Sequence, residues 1–106
     1  MNCIHTIPQL ADWHQRFESQ GLVVIGVHSP EFPWERSLDK VKSACKELGI
    51  AYPVAIDNGF ATWKRYGTRY WPTIHLIDKR GIVRYTRFGE GGYAEMESII
   101  RRLLDE

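Results

Sequence analysis

The chain has 106 residues, 43% hydrophobic and 25% charged, with a formal net charge of +1. That size and balance fit one globular domain, residues 1–106, with a real core and little redundancy. They give no electrostatic ground for binding nucleic acid or an anionic membrane, and no apolar run is long enough to cross a bilayer. Two cysteines, Cys3 and Cys45, are too few for a disulfide scaffold. No signal peptide is read at the start, where polar and helical sequence follows Met1.

Residues 4–20 read as a helix. Ile7, Leu10, Trp13 or His14, and Phe17 recur at helical spacing, and Gly21 is a natural stop. Pro8 lies inside and is expected to kink it, because its nitrogen has no hydrogen to donate. The run Leu22-Val23-Val24-Ile25-Gly26-Val27 is apolar on both faces and predicts a buried parallel strand. After a loop to Pro33, residues 34–48 read as a second helix with Trp34, Leu38, Val41, Cys45 and Leu48 on one face and Gly49 as the stop.

A short strand is expected at 53–56 and a short helix at 60–66 with Trp63 facing inward. Trp71-Pro72 breaks the chain before a strand at 73–77. Asp78-Lys79-Arg80-Gly81 has the chemistry of a hairpin turn, and residues 82–88 form its partner strand, where Arg84 and Arg87 suit a sheet edge. A last helix at about 93–104 carries Met96, Ile99, Ile100 and Leu103 on its core stripe. The alternation of helix and strand indicates the α/β class. The order begins with a helix that has a cysteine at its N-terminus.

The segment Asn2-Cys3-Ile4-His5-Thr6-Ile7-Pro8 resembles the end of the active-site motif of TlpA-like and DipZ-type thioredoxin domains, in which Cys-X-Asn-Cys opens a helix containing a proline. The strand and loop from Leu22 to Phe32 are similar to the next blocks of that family. So are Ile56-Asp57-Asn58, Ala61-Thr62-Trp63, Arg69-Tyr70-Trp71-Pro72, Leu76-Ile77-Asp78 and Phe88-Gly89-Glu90-Gly91. The resemblance covers essentially the whole chain. It implies a thioredoxin-like fold, three layers α/β/α with a mixed sheet, lacking the first, central strand. It also implies that the first cysteine of the pair would lie just ahead of Met1.

Under that resemblance Cys3 is the resolving thiol. A cysteine at a helix N-terminus has unpaired N–H groups and the macrodipole to stabilise its thiolate. Cys45, on a core stripe, reads as structural. Pro72 matches the family's cis-proline, and Trp71 beside it is expected to line a substrate groove. Glu31 follows the second family strand and is a candidate proton relay to the thiol. Asp57 is an alternative relay that reads more readily as a helix cap. His5, within a turn of Cys3, reads as an exposed helix residue. His14, His28 and His75 show no metal-ligand spacing, so no zinc site is expected.

The implied function is thiol–disulfide exchange with protein thiols, without a cofactor, because the cysteines carry the electrons. Implied partners include a membrane-embedded electron donor, and the implied location is outside the cytoplasm. A redox-inactive binding or assembly module of the same fold is the alternative, and a thiol peroxidase a weaker third. Without the central strand, two strand edges would stand open, and a dimer or larger assembly through them is expected.

Overall fold

The computed structural model describes residues 2–106, with side chains from residue 5 onward. Helix α1 (Asn2–Phe17) continues through Pro8 and ends in a 3-10 turn, Glu18–Gln20, closed by Gly21 at φ 110°, a left-handed conformation open to glycine. The helix thus begins two residues earlier than the sequence indicates and tightens in its last turn. Trp13 and Phe17 on one stripe are buried, with Leu10 packed partly against them.

The partners of that stripe come from the far end of the chain. Helix α4 (Tyr93–Leu104) buries Met96, Ile100 and Leu103, and strand β3 (Thr73–Ile77) adds Leu76. The Tyr93 ring meets Trp13 edge-on at 6.1 Å. Trp13 also donates its indole N–H to Glu97 Oε1 at 3.0 Å, and Arg16 of α1 pairs with the same carboxylate. These donors, Arg16 first and Trp13 second, pull the Glu97 carboxyl down to about 2. A depressed carboxylate stabilises the folded state above its ordinary value and loses that contribution as pH falls towards the folded value. Urea midpoints measured from pH 5 to pH 2 are therefore expected to fall steeply in the wild type and less steeply in Glu97→Gln.

Strand β3 pairs antiparallel with β4 (Val83–Phe88), Thr73 opposite Phe88 and Ile77 opposite Val83, with an irregularity between Leu76 and Ile77. The turn between them has Gly81 at φ 82°, and Asp78 Oδ1 accepts from the backbone N–H of Arg80 and Ile82. Arg84 on the outer strand pairs with Asp78 and Glu106.

The second half of the molecule is a separate sheet. Strand β1 (Gly26–His28) pairs in parallel with β2 (Val54–Ile56), in register Gly26 to Val54 and His28 to Ile56. Gly26 sits at a close approach: a Cβ there would meet the Tyr52 ring at 3.2 Å and Val54 at 3.3 Å, so those side chains would have to shift to admit one. Tyr52 is buried and takes an edge contact from His14 of α1 at 6.1 Å. Helix α1 therefore touches both halves, Trp13 and Phe17 on one and His14 on the other. Among the described residues no ladder bond joins the two sheets, so β1 and β3 each keep an unpaired edge.

That arrangement corrects the expected strand at Leu22–Val27. Only Gly26–His28 is in a ladder, and Val23, Ile25 and Val27 are 74%, 61% and 47% exposed. A segment with no neighbouring strand forms no ladder, and one of its two apolar faces is uncovered among the described residues. The second helix is corrected too. Pro33–Arg36 is a 3-10 turn, Ser37 is extended, and α2 runs Leu38–Glu47 with the Ser37 hydroxyl accepting from Lys40 N at 3.3 Å. Trp34, expected in the core, is 61% exposed and stacks on Phe32 at 4.7 Å. Leu38 and Leu48 are exposed, and Cys45 is half-buried. Helix α3 (Ala61–Arg65) is one turn long. No described helix is long and apolar enough to cross a membrane.

Candidate functional site

The first turn of α1 holds Cys3, with no acidic residue in that turn to offset the positive end of the helix dipole. The Cys3 side chain lies outside the described residues, so its role as a resolving thiol rests on its place in the chain. His5, two residues on, is exposed and meets Glu90 Oε1 from Nδ1 at 2.9 Å. Glu90 follows β4, and the backbone N–H of the preceding Gly89 donates to the Pro72 carbonyl at 2.8 Å. Short links thus lead from the α1 N-terminus through Glu90 and Gly89 to the Trp71–Pro72 loop. The Trp71–Pro72 peptide is cis.

The same loop reaches the end of β1. The Trp71 indole N–H donates to the Ser29 carbonyl at 2.7 Å, and its ring tilts against Trp63 with centroids 4.2 Å apart. Ser29 and Pro30 are buried, whereas Glu31 beyond them is exposed and makes no hydrogen bond or ion pair among the described residues. The structure therefore puts Glu31 on the loop that leads away from Trp71 and gives it no held orientation. The loop is drawn back by the His28 ring, which donates from Nε2 to the Glu35 carbonyl at 2.8 Å. Beside it, Phe32 and Trp34 present their stacked rings to solvent. On the other flank, Tyr70 lies edge-on to Phe88 at 6.3 Å, and both are exposed.

Asp57, weighed as a relay or a cap, is a cap. Its carboxylate accepts from the backbone N–H of Thr62 at 3.0 Å and Trp63 at 2.9 Å, the first turn of α3, and from the Ser29 hydroxyl at 2.8 Å. Burial alone would push this carboxyl up, but the N–H groups of Thr62 and Trp63, then the Ser29 hydroxyl, outweigh it and hold the group below its ordinary value. Its oxygens are taken up by these donors, which is what makes it a cap. Phe60 enters the helix at φ 60°, a left-handed conformation unusual for a non-glycine residue.

Sequence reasoning missed Ser29 and the pairing of His5 with Glu90. Ser29 had one local signal, because a serine before proline at a strand end is held out of helix and free to bond through its hydroxyl. The His5–Glu90 pair spans 85 positions and leaves no periodic trace.

Residues 1–86 match the AhpC/TSA family. The whole chain is 45% identical over 106 residues to Protein DipZ of Mycobacterium bovis, of which it spans 15%. It is 27% identical over 104 residues to the thiol-disulfide oxidoreductase YkuV of Bacillus subtilis, covering 98% of this chain and 70% of that protein. The crystal structure of a thiol-disulfide isomerase from Corynebacterium glutamicum superposes with a TM-score of 0.89 at 29% identity, covering 99% of this chain and 73% of that one. The backbone described above is a thioredoxin-like fold. With this match and this fold, the chain belongs to the AhpC/TSA family and is a thioredoxin-like domain of the TlpA/DipZ type.

Proposed function

We propose that the domain exchanges disulfides with protein thiols, with Cys3 as the resolving thiol and the Trp71–Pro72 loop as the surface that receives the substrate chain. One observation carries the reading: the helix turn that holds Cys3 is tied, through His5–Glu90 and Gly89–Pro72, to that loop. In the proposed step the Cys3 thiolate attacks one sulfur of a disulfide. A Cys3–S–S–R bond forms, the old S–S bond breaks, and the second sulfur leaves as a thiolate that takes a proton. With a partner cysteine on the same helix end, that displacement would close an intramolecular disulfide and release the substrate.

The Trp71–Pro72 loop offers backbone that an extended peptide can pair with, the mode of recognition we assign to the substrate. Glu31, which follows Ser29 and Pro30 after β1, is proposed as the group that moves the proton. By the same family reasoning, the domain works outside the cytoplasm with a membrane-embedded donor of electrons. A redox-inactive binding module is the second reading, favoured by the same loop, which needs no sulfur to hold a peptide.

Insulin-disulfide reduction tests the first reading. A version extended upstream by a strand and a cysteine three positions ahead of Cys3 is expected to turn over insulin, and no turnover would end the idea. The open edges of β1 and β3 lead us to propose self-association as well. Light scattering at micromolar concentration is expected to give a dimer or larger species, and a compact, cooperative monomer would refute this.

A further inference from the structure

We propose that Asp57 is a positioning residue for the substrate loop, acting on Trp71 through Ser29. The inference rests on the reading of the Trp71–Pro72 loop as the substrate surface. Ser29 and Asp57 are 7% and 6% exposed, and each satisfies the other: the Ser29 hydroxyl donates to Asp57 Oδ2 at 2.8 Å. The carbonyl of that serine is the acceptor of the Trp71 indole N–H at 2.7 Å. The other contact on Trp71 leads back to the same carboxylate, because the Trp63 ring, 4.2 Å away, belongs to a residue whose backbone N–H donates to Asp57 Oδ2 at 2.9 Å.

Trp71 is thus held at its rim by one dependent of Asp57 and on its face by another. Asp57 and Ser29 follow β2 and β1, whereas Trp71 leads into β3. This circuit therefore crosses from the β1–β2 sheet to the loop that leads into β3 and ties the loop to the end of β1. A cap for α3 would need only the bonds to Thr62 and Trp63. The bond from Ser29 has no part in capping and is the one that reaches the loop.

Ser29→Ala separates the two roles, since it leaves the cap and the backbone carbonyl in place and frees only the carbonyl's position. The readout is solvent exchange of the Trp71 indole proton in the 106-residue chain, assigned with Trp71→Phe. Loss of a hydrogen bond to a charged group corresponds to about tenfold or more. Exchange of that proton is expected to speed up by about this factor in Ser29→Ala and Asp57→Asn. Ser29→Thr, which keeps the hydroxyl, is expected to restore slow exchange. The Trp13 indole, bonded to Glu97, should not change and reports that the fold is intact.

The same two variants should slow the reaction of Cys3 with a peptide disulfide while leaving a small aromatic disulfide unaffected. Unchanged Trp71 exchange in both variants would overturn the proposal, as would an unchanged peptide rate despite a freed indole. If wild-type Cys3 reacts with neither disulfide, the exchange reading of the site falls, and the indole measurement still decides whether Asp57 holds the loop.

Discussion

Trp13→Ala is expected to destabilise the domain by about 3–5 kcal/mol, the range for deleting a large buried aromatic side chain. The indole is 2% exposed and packs in one cluster with Phe17, Leu76, Met96, Ile100 and Leu103, which come from α1, β3 and α4. Truncation leaves a cavity where three elements meet. It also strips a donor from Glu97, whose carboxylate then keeps only arginine partners. Domains of this size are stable by roughly 5–15 kcal/mol, so the loss is a large share of the total. Urea unfolding followed by far-ultraviolet circular dichroism should show the midpoint fall. Trp13→Phe keeps a ring and forfeits the hydrogen bond, and should lie between the two. A Trp13→Ala midpoint close to the wild type would mean that α1 is not held by this cluster.

Cys3→Ser is expected to abolish disulfide exchange, whereas Cys45→Ser should leave it intact. Cys3 sits where the first N–H groups of a 16-residue helix point outward unbonded, and no acidic side chain in that turn competes for them. Cys45 sits in the last turn of α2, away from the positive end of that helix's dipole, and it is half-buried. Mass spectrometry after incubation with an aromatic disulfide distinguishes them, since each mixed disulfide adds one reagent fragment to a single cysteine. Modification that persists in Cys3→Ser and disappears in Cys45→Ser would move the chemistry to α2 and away from the Trp71–Pro72 loop.

What the sequence made legible is what neighbouring residues decide. Strand β3, the Asp78–Gly81 turn and α4 appear at or within a residue of their expected bounds, because turn chemistry and a 3.6-residue stripe are local. The candidate site was legible in its landmarks, Cys3 at a helix start and Trp71–Pro72 before a strand. Its bonds were not, because Ser29, Asp57 and Trp71 are brought together from segments 28 and 42 positions apart. Trp34 was misplaced for a different reason. Its spacing fits the α2 stripe, but Ser37 adopts an extended backbone and starts the helix afresh, so the stripe never includes it. Burial of Leu22–Val27 failed for a third: apolarity records what a segment can be buried against, and coverage depends on the elements that come to lie on it.

The exposed run from Leu22 to Val27 has a further consequence. It carries no charge and no proline, is rich in β-branched side chains, and presents alternate residues on a face open to solvent. Those are the features of segments that stack copy upon copy into cross-β ribbons. In the 106-residue chain taken by itself, solubility is therefore expected to fall or rise with whether another strand covers that face.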